Sequence, residues 1–369
     1  MFGIVLLTAI TAMQGYVFWR AGSLPLFGRR LPRRAMFGSG VLLWALFVAG
    51  RWLRHSEAGT FGAALERFAM NWLGVVFLCA LCLLAVELGT GFGFLVRRGT
   101  PRLRGLGLLA GAILSTVALV QGTRLPVVES HEVTLPGLPR ALDGTVLVAI
   151  SDTHLGAVLG GEWLERLAER IHAEDPDLLV LVGDVFEGHG VDSKSLGPAL
   201  RRLRARLGVF AVPGNHDFHG GSGGDLPLLV EAGHQVLRNR WVEVSPGLAL
   251  VGADDLTRAR RHGGRDDLIA RALAGRPEGA AILLSHTPWS AERAAAAGAG
   301  LMLSGHTHAG QIWPFGHLVA LRYPLVDGRY SVDGMTVLVS RGAGTWGPRM
   351  RLWSPGQILR ITLRAPTAG

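Results

Sequence analysis

The sequence predicts a bundle of membrane-spanning helices followed by an α/β domain of two packed sheets covered by helices. Three observations carry this expectation. Apolar stretches long enough to cross a bilayer are confined to residues 1–126. From Val127 the pattern changes to short apolar runs separated by Gly, Pro and polar turns. Within that second part, residues 127–369, helical patterns alternate with strands early and strands predominate late.

Spans of about 20 apolar residues are needed to cross a membrane. Four candidates are Phe2–Trp19, Ala35–Leu53, Asn71–Val96 and Leu106–Gln121. The last is short and Gly-rich, but Gly107-x-x-x-Gly111 would admit a close neighbouring helix. Trp19, Trp44, Trp52 and Trp72 include several near span ends, where indoles favour the interface. Cys79 and Cys82 lie inside an apolar run and read as small helix residues rather than a redox or zinc pair. Glu87 falls in the third span, where an ionised carboxylate is costly. It is expected to be protonated, paired with a neighbouring helix or close to the interface.

Residues 1–126 hold thirteen Arg against Glu57, Glu66 and Glu87, a balance of +10. The whole chain sums to +9, so the remainder is near neutral at −1. The pI near 10.9 therefore belongs to the membrane part, and a nucleic-acid partner is not expected. Arg20, Arg29, Arg30, Arg33 and Arg34 follow the first span, and Arg97, Arg98, Arg102 and Arg104 follow the third. Positive-inside bias puts both connections in the cytoplasm and residues 127–369 on the extracytoplasmic side.

In the second part, Val127–Val133 alternates like a strand, and Glu162–His172 and Leu196–Leu207 read as helices. Five strand-like runs lead directly into polar motifs. Val146–Ile150 precedes Ser151-Asp152-Thr153-His154, Leu178–Val182 precedes Gly183-Asp184, and Val209–Val212 precedes Gly214-Asn215-His216-Asp217. Ile282–Ser285 precedes His286, and Leu301–Ser304 precedes Gly305-His306-Thr307-His308. Catalytic groups gather beyond the carboxyl ends of strands, so these loops are expected to converge.

The residue types suit a hydrolytic centre of two divalent ions, which needs hard oxygens, neutral imidazoles and one shared group. Asp152, His154 and His308 are expected on one ion, and Asn215, His286 and His306 on the other, with Asp184 bridging. Mixed N/O ligation suits Mn, Fe or Zn. A hydroxide bridging the ions would be the nucleophile. His216 is left over as the candidate for stabilising phosphoryl charge or protonating the leaving oxygen, with Asp217 orienting its ring. Arg341, at a strand end before a Gly turn, and His219 are candidate substrate contacts. Asp254 and Asp255 are either functional or turn residues.

These motifs resemble the calcineurin-like metallophosphoesterase superfamily over roughly Val127 to Leu363. The resemblance implies a four-layer α/β/β/α sandwich with a dinuclear site. Gly305–Gln311, with Gly252–Asp255, Ser340–Gly344 and the N-terminal membrane part, looks like the bacterial membrane-associated phosphoesterases, implying a multi-pass inner-membrane protein. Ser354-Pro355-Gly356-Gln357 departs from that pattern in lacking Pro-Glu. The implied activity is hydrolysis of a phosphoester, monoester or diester, with a membrane lipid or envelope precursor as candidate substrate. Two alternatives stand beside it: a silent binding or sensor protein that kept the fold, and, were the domain cytoplasmic, a nucleotide-lipid (lipid A precursor) pyrophosphatase. A transporter with a regulatory soluble domain is poorly supported, because Glu87 is the only acid in the spans.

Overall fold

A computed structural model describes residues 2–24, 32–53, 59–156, 158–187, 193–218, 225–261 and 267–367. The chain divides into two compact units. One is Met1–Thr123 with Gly347–Leu352; the other is Arg124–Trp346 with Trp353–Gly369.

The first unit holds α1 (Phe2–Ala21), α2 (Arg33–Leu53), α3 (Gly59–Gly89) and α4 (Thr100–Thr123). All four are long and apolar enough to cross a membrane. Helix α3 starts well before Asn71, where hydropathy alone places the span. Its charged first turns are accommodated because Glu66 lies 3.6 Å from Arg51 of α2. It stops before Val96 because Gly91 and Phe92 turn into the left-handed region, at φ of 55° and 56°. Helix α4, the weakest span by composition, is a full 24 residues. A Cβ on Gly111 would stand 2.7 Å from Cys79 Cα, and one on Gly107 3.1 Å from Val86 Cγ2. The two glycines therefore allow α3 and α4 to approach, and the cysteine backbone is what they approach. Glu87 is fully buried and takes two bonds from Arg104, at 2.7 and 3.2 Å, with Arg20 Nε at 3.1 Å. This is the pairing alternative, realised with two helices at once. The returning segment Gly347–Leu352 packs within this unit: Arg349 N–H donates to Asn71 Oδ1 (2.8 Å) and Arg351 N–H to Ala118 O (2.9 Å).

Among its described residues the second unit has twelve strands: β1 (Val127–Thr134), β2 (Val146–Ile150), β3 (Leu178–Val182), β4 (Val209–Val212), β5 (Gln235–Val236), β6 (Arg240–Ser245), β7 (Leu248–Gly252), β8 (Ala280–Leu284), β9 (Leu301–Ser304), β10 (Gly328–Val332), β11 (Met335–Val339) and β12 (Gln357–Arg364). They form two six-stranded sheets, ordered β1-β12-β2-β3-β4-β5 and β10-β11-β9-β8-β7-β6. β2 to β5 run parallel, as do β7, β8, β9 and β11.

Strand periodicity sorts the side chains into layers. Leu147, Ala149, Val180 and Val182 of one sheet share a core with Leu250, Ile282, Leu284 and Leu303 of the other. Val148, Ile150, Leu179 and Leu181 face outward onto α5 (Gly161–His172) and α6 (Ser193–Arg202) through Leu164, Leu167, Ile171 and Leu200. Val251, Leu283, Met302 and Val337 face outward on the second sheet, against Ile269, Ala272, Ala291 and Ala294. The result is the four-layer α/β/β/α sandwich. Helix α6 ends at Arg202 rather than Leu207, because Leu207 N–H bonds Asp177 O (2.6 Å) and the chain is drawn into β4.

Candidate metal centre

The carboxyl ends of β2, β3, β4, β8 and β9 bring the polar motifs together. Asp152, His154 and His308 form one group whose ligand atoms lie within 4.8 Å of one another; Asp184, His286 and His306 form a second. His308 Nε2 is 3.4 Å from Asp152 Oδ1, and His286 Nε2 is 3.2 Å from Asp184 Oδ2. Asp184 Oδ2 also lies 3.8 Å from His154 Nε2, so this carboxylate faces both groups.

Backbone geometry aims these side chains. Asp152, His154, Asp184, His306 and His308 all have positive φ, between 46° and 74°. That conformation is disfavoured for side-chain-bearing residues and collects at functional sites. Glycine opens the space beside them. A Cβ on Gly183 (φ 78°) would stand 2.5 Å from His286 Nδ1, and one on Gly214 would overlap the Asp184 carboxylate. The loops then brace each other: His216 N–H donates to Asp184 Oδ1 (2.8 Å), and His306 N–H to Asp152 Oδ1 (3.0 Å). His286 Nδ1 donates to Val182 O (2.8 Å), which leaves Nε2 turned to the carboxylates.

The buried carboxylates and imidazoles set one another's protonation. Burial alone would push the His154 imidazolium down, but Glu187, Asp184 and Asp152 carry its pKa up to about 9. Burial opposes His286 likewise, yet Asp184 and Asp152 hold it well above the ordinary value. His306 is lowered to about 4 by burial and by its neighbour His286. Burial would raise Asp184, but the surrounding imidazoles hold it well below the carboxylate range.

The donors fit divalent cations on three further counts. Ring nitrogens face each other at 3.1 Å (His154 and His308) and 3.3 Å (His306 and His286), distances that need a proton or cation between them. Asn215 Oδ1 is buried with no hydrogen-bond partner, a costly state that a cation would relieve. The donor set is hard oxygen plus imidazole.

Not every expected role matches the geometry. Asp217 does not orient His216: its oxygens accept from Phe186 N–H and Gly214 N–H, both at 2.8 Å, so it braces the loop. Burial and the nearby Asp184 raise its pKa to about 7. The carboxylate opposite His216 is Glu187, whose Oε2 lies 3.5 Å from His216 Nδ1 and 2.7 Å from His154 Nδ1. Sequence reading missed Glu187; its position three residues after Asp184 was the available signal. The Arg341 guanidinium is held by Glu129 (2.9 Å) and Asp327 (3.7 Å), while Gln357 Oε1 accepts from the Arg341 backbone N–H. Asp254 is paired with Arg238, and Asp255 accepts from Arg258 N–H and Thr287 Oγ1. His219 lies outside the described residues.

Carboxylates and imidazoles gathered beyond the carboxyl ends of strands from both sheets form the donor set of a metal-dependent hydrolase. A family model described as calcineurin-like phosphoesterase matches residues 145–310, which take in all seven candidate donors. A transmembrane protein with metallophosphoesterase domain from Danio rerio is 34% identical over 281 residues, covering 73% of this chain and 64% of that protein. The protein of the same description from Bos taurus is 33% identical over 359 residues, covering 88% of this chain and 81% of the relative. A metallophosphoesterase from Aquifex aeolicus is 34% identical over 242 residues, 64% of this chain and 91% of that one. The chain belongs to the calcineurin-like phosphoesterase family.

Proposed function

We propose that this protein is a membrane-anchored, metal-dependent phosphoesterase. The observation that carries the proposal is the pair of three-donor groups with Asp184 facing both. Asp152, His154 and His308 would hold one divalent ion, Asn215, His286 and His306 the second, and Asp184 would be shared. Such ions supply an acidified water and a clamp on phosphoryl oxygens. Manganese, iron and zinc all suit the donor set.

The chain's own groups do the rest. Val182 O fixes the His286 tautomer, and Asp217 holds the Gly214–Asp217 loop against Phe186. His216, beside Asn215, is the residue placed to stabilise phosphoryl charge or to protonate a leaving oxygen, and Glu187 positions its ring. Asp184→Asn should abolish most hydrolysis of a nitrophenyl phosphoester and weaken uptake of both ions. Elemental analysis showing one ion or none in an active preparation would overturn the two-ion assignment.

The substrate we infer is a phosphoester at a membrane surface, a lipid or envelope precursor. Support comes from the four apolar helices and from relatives described as transmembrane proteins. Tethering raises the local concentration of membrane-borne esters over soluble ones. Arginine clusters after the first and third helices favour an inner-membrane protein with its second unit outside the cytoplasm.

A further inference from the structure

The chain that follows His306 and His308 turns large apolar side chains to solvent. Its short helix Phe315–Ala320 buries none of its residues. Phe315, Leu318 and Leu321 are exposed, Leu321 by 84%. Trp313, half exposed beside them, rests against Trp353 with ring centroids 5.2 Å apart, and Trp353 is itself 59% exposed. Scattered apolar side chains need no explanation on a protein surface, whereas a contiguous group of this size marks an interaction site.

This ridge is fastened to the candidate site at several points. Tyr323, just beyond the helix, bonds His306 Nε2 through its hydroxyl at 2.7 Å. Ser354, next to Trp353, donates to His308 O at 3.3 Å. Gln311 exchanges two bonds with the Trp346 backbone, at 2.9 and 3.1 Å, and the Trp346 indole stands 6.0 Å from the His216 ring.

Composition indicates the occupant. Between His308 and Leu325 the chain contains Arg322 and His317 but no acid. Trp, Phe and Leu beside basic side chains are what an element lying in a bilayer interface carries. The same chain supplies four helices apolar enough to cross a bilayer.

We propose that Trp313, Phe315, Leu318, Leu321 and Trp353 form a lipid-facing ridge that enters the bilayer interface. The adjoining site then receives the phosphoester headgroup of an amphiphile whose acyl chains stay in that interface. The headgroup half of this proposal rests on the phosphoesterase reading; the ridge half does not.

The test uses the full chain in vesicles of phosphatidylcholine and phosphatidylglycerol. Leu321→Cys, in a Cys79→Ala and Cys82→Ala background, carries an environment-sensitive fluorophore. Val230→Cys, exposed on the separate helix Leu226–Glu231, carries the same label as control. At position 321 the label should emit to the blue and be quenched by nitroxide lipids, shallow ones most, as expected for insertion of about 5–10 Å. At position 230 it should behave as in water. Water-like emission at 321 overturns the ridge, and a blue shift without lipid quenching assigns the surface to a protein and overturns it equally.

For the headgroup half, manganese-supported hydrolysis of a nitrophenyl phosphoester should be inhibited by phosphatidylglycerol vesicles far more than by glycerol phosphate at equal phosphate concentration. Equal inhibition would reduce the ligand to a free phosphoester and overturn the acyl-chain claim. Absence of any nitrophenyl hydrolysis would defeat the phosphoesterase reading and the headgroup half with it, leaving the fluorophore to decide the ridge.

Discussion

Glu187 approaches two ring nitrogens at once, His154 Nδ1 at 2.7 Å and His216 Nδ1 at 3.5 Å. One carboxylate thus hydrogen-bonds a candidate ligand and stands at ion-pair distance from the candidate proton donor. Outer partners of metal-binding histidines are worth about 10–100-fold in affinity or activity. Glu187→Gln should therefore lower nitrophenyl phosphoester turnover by about that factor, and a turnover equal to the parent's would remove Glu187 from the site. The raised pKa values of His154, to about 9, and of His286 mean that the ion-free site stores protons. Divalent ions take the unprotonated rings, so loading expels protons and affinity should rise as pH climbs toward 9. Calorimetry in two buffers of different ionisation enthalpy reads this directly; the same heat in both would contradict it. A histidine whose folded pKa lies above its unfolded 6.5 contributes fully below pH 6.5, and that contribution is lost through about pH 9. Ion-free protein should therefore melt at lower temperature as pH rises across that window, while loaded protein should not.

At the level of elements, glycines decide how closely loops and helices approach. Gly183→Ala combines positive φ with a Cβ 2.5 Å from His286 Nδ1. Overpacking of this kind costs about 1–3 kcal/mol. The variant should melt earlier and, because the displaced ring is a candidate ligand, gain less on adding Mn²⁺ than the parent does. In the helical unit, Gly111→Leu would drive a side chain into Cys79 of α3 and should separate α3 from α4, seen as a lower melting temperature in detergent. Glu87→Leu leaves the partly buried Arg20 and Arg104 without their shared carboxylate. Breaking a buried pair from one side costs about 3–5 kcal/mol, so this variant should be the less stable of the two helical ones. Each prediction concerns one unit.

At the scale of the whole molecule, four helices that all cross a bilayer would return both ends of the helical unit to one compartment. Labelling of Val230→Cys in intact cells, in a Cys79→Ala and Cys82→Ala background, by a thiol reagent that cannot cross the membrane is the expected result for an external second unit. Labelling only after lysis would reverse the orientation and revive a cytoplasmic nucleotide-lipid substrate. Cutting the chain after Thr123 removes the partners of Arg349 and Arg351. The detached piece should therefore expose Met350, now fully buried, and aggregate more readily than the full chain. Much of this protein was legible in sequence because its signals are local: apolar length for the spans, unbroken strand runs for the buried sheets, and a donor directly after each run. Strand runs such as Leu178–Val182 are apolar throughout because both faces are covered, and that same burial forces polar ligands to the strand ends. Residue spacing carries no distance across the fold, and there tertiary structure decided. Asp217 adjoins His216 in sequence, yet its carboxylate is spent on Phe186 and Gly214, and Glu187 arrives from another loop. Gly347–Leu352 joined the helices, and Arg341 was claimed by Glu129 and Asp327, for the same reason. Such pairings are set by which strands lie side by side, and strand order is a property of the packed sheets rather than of any segment within them.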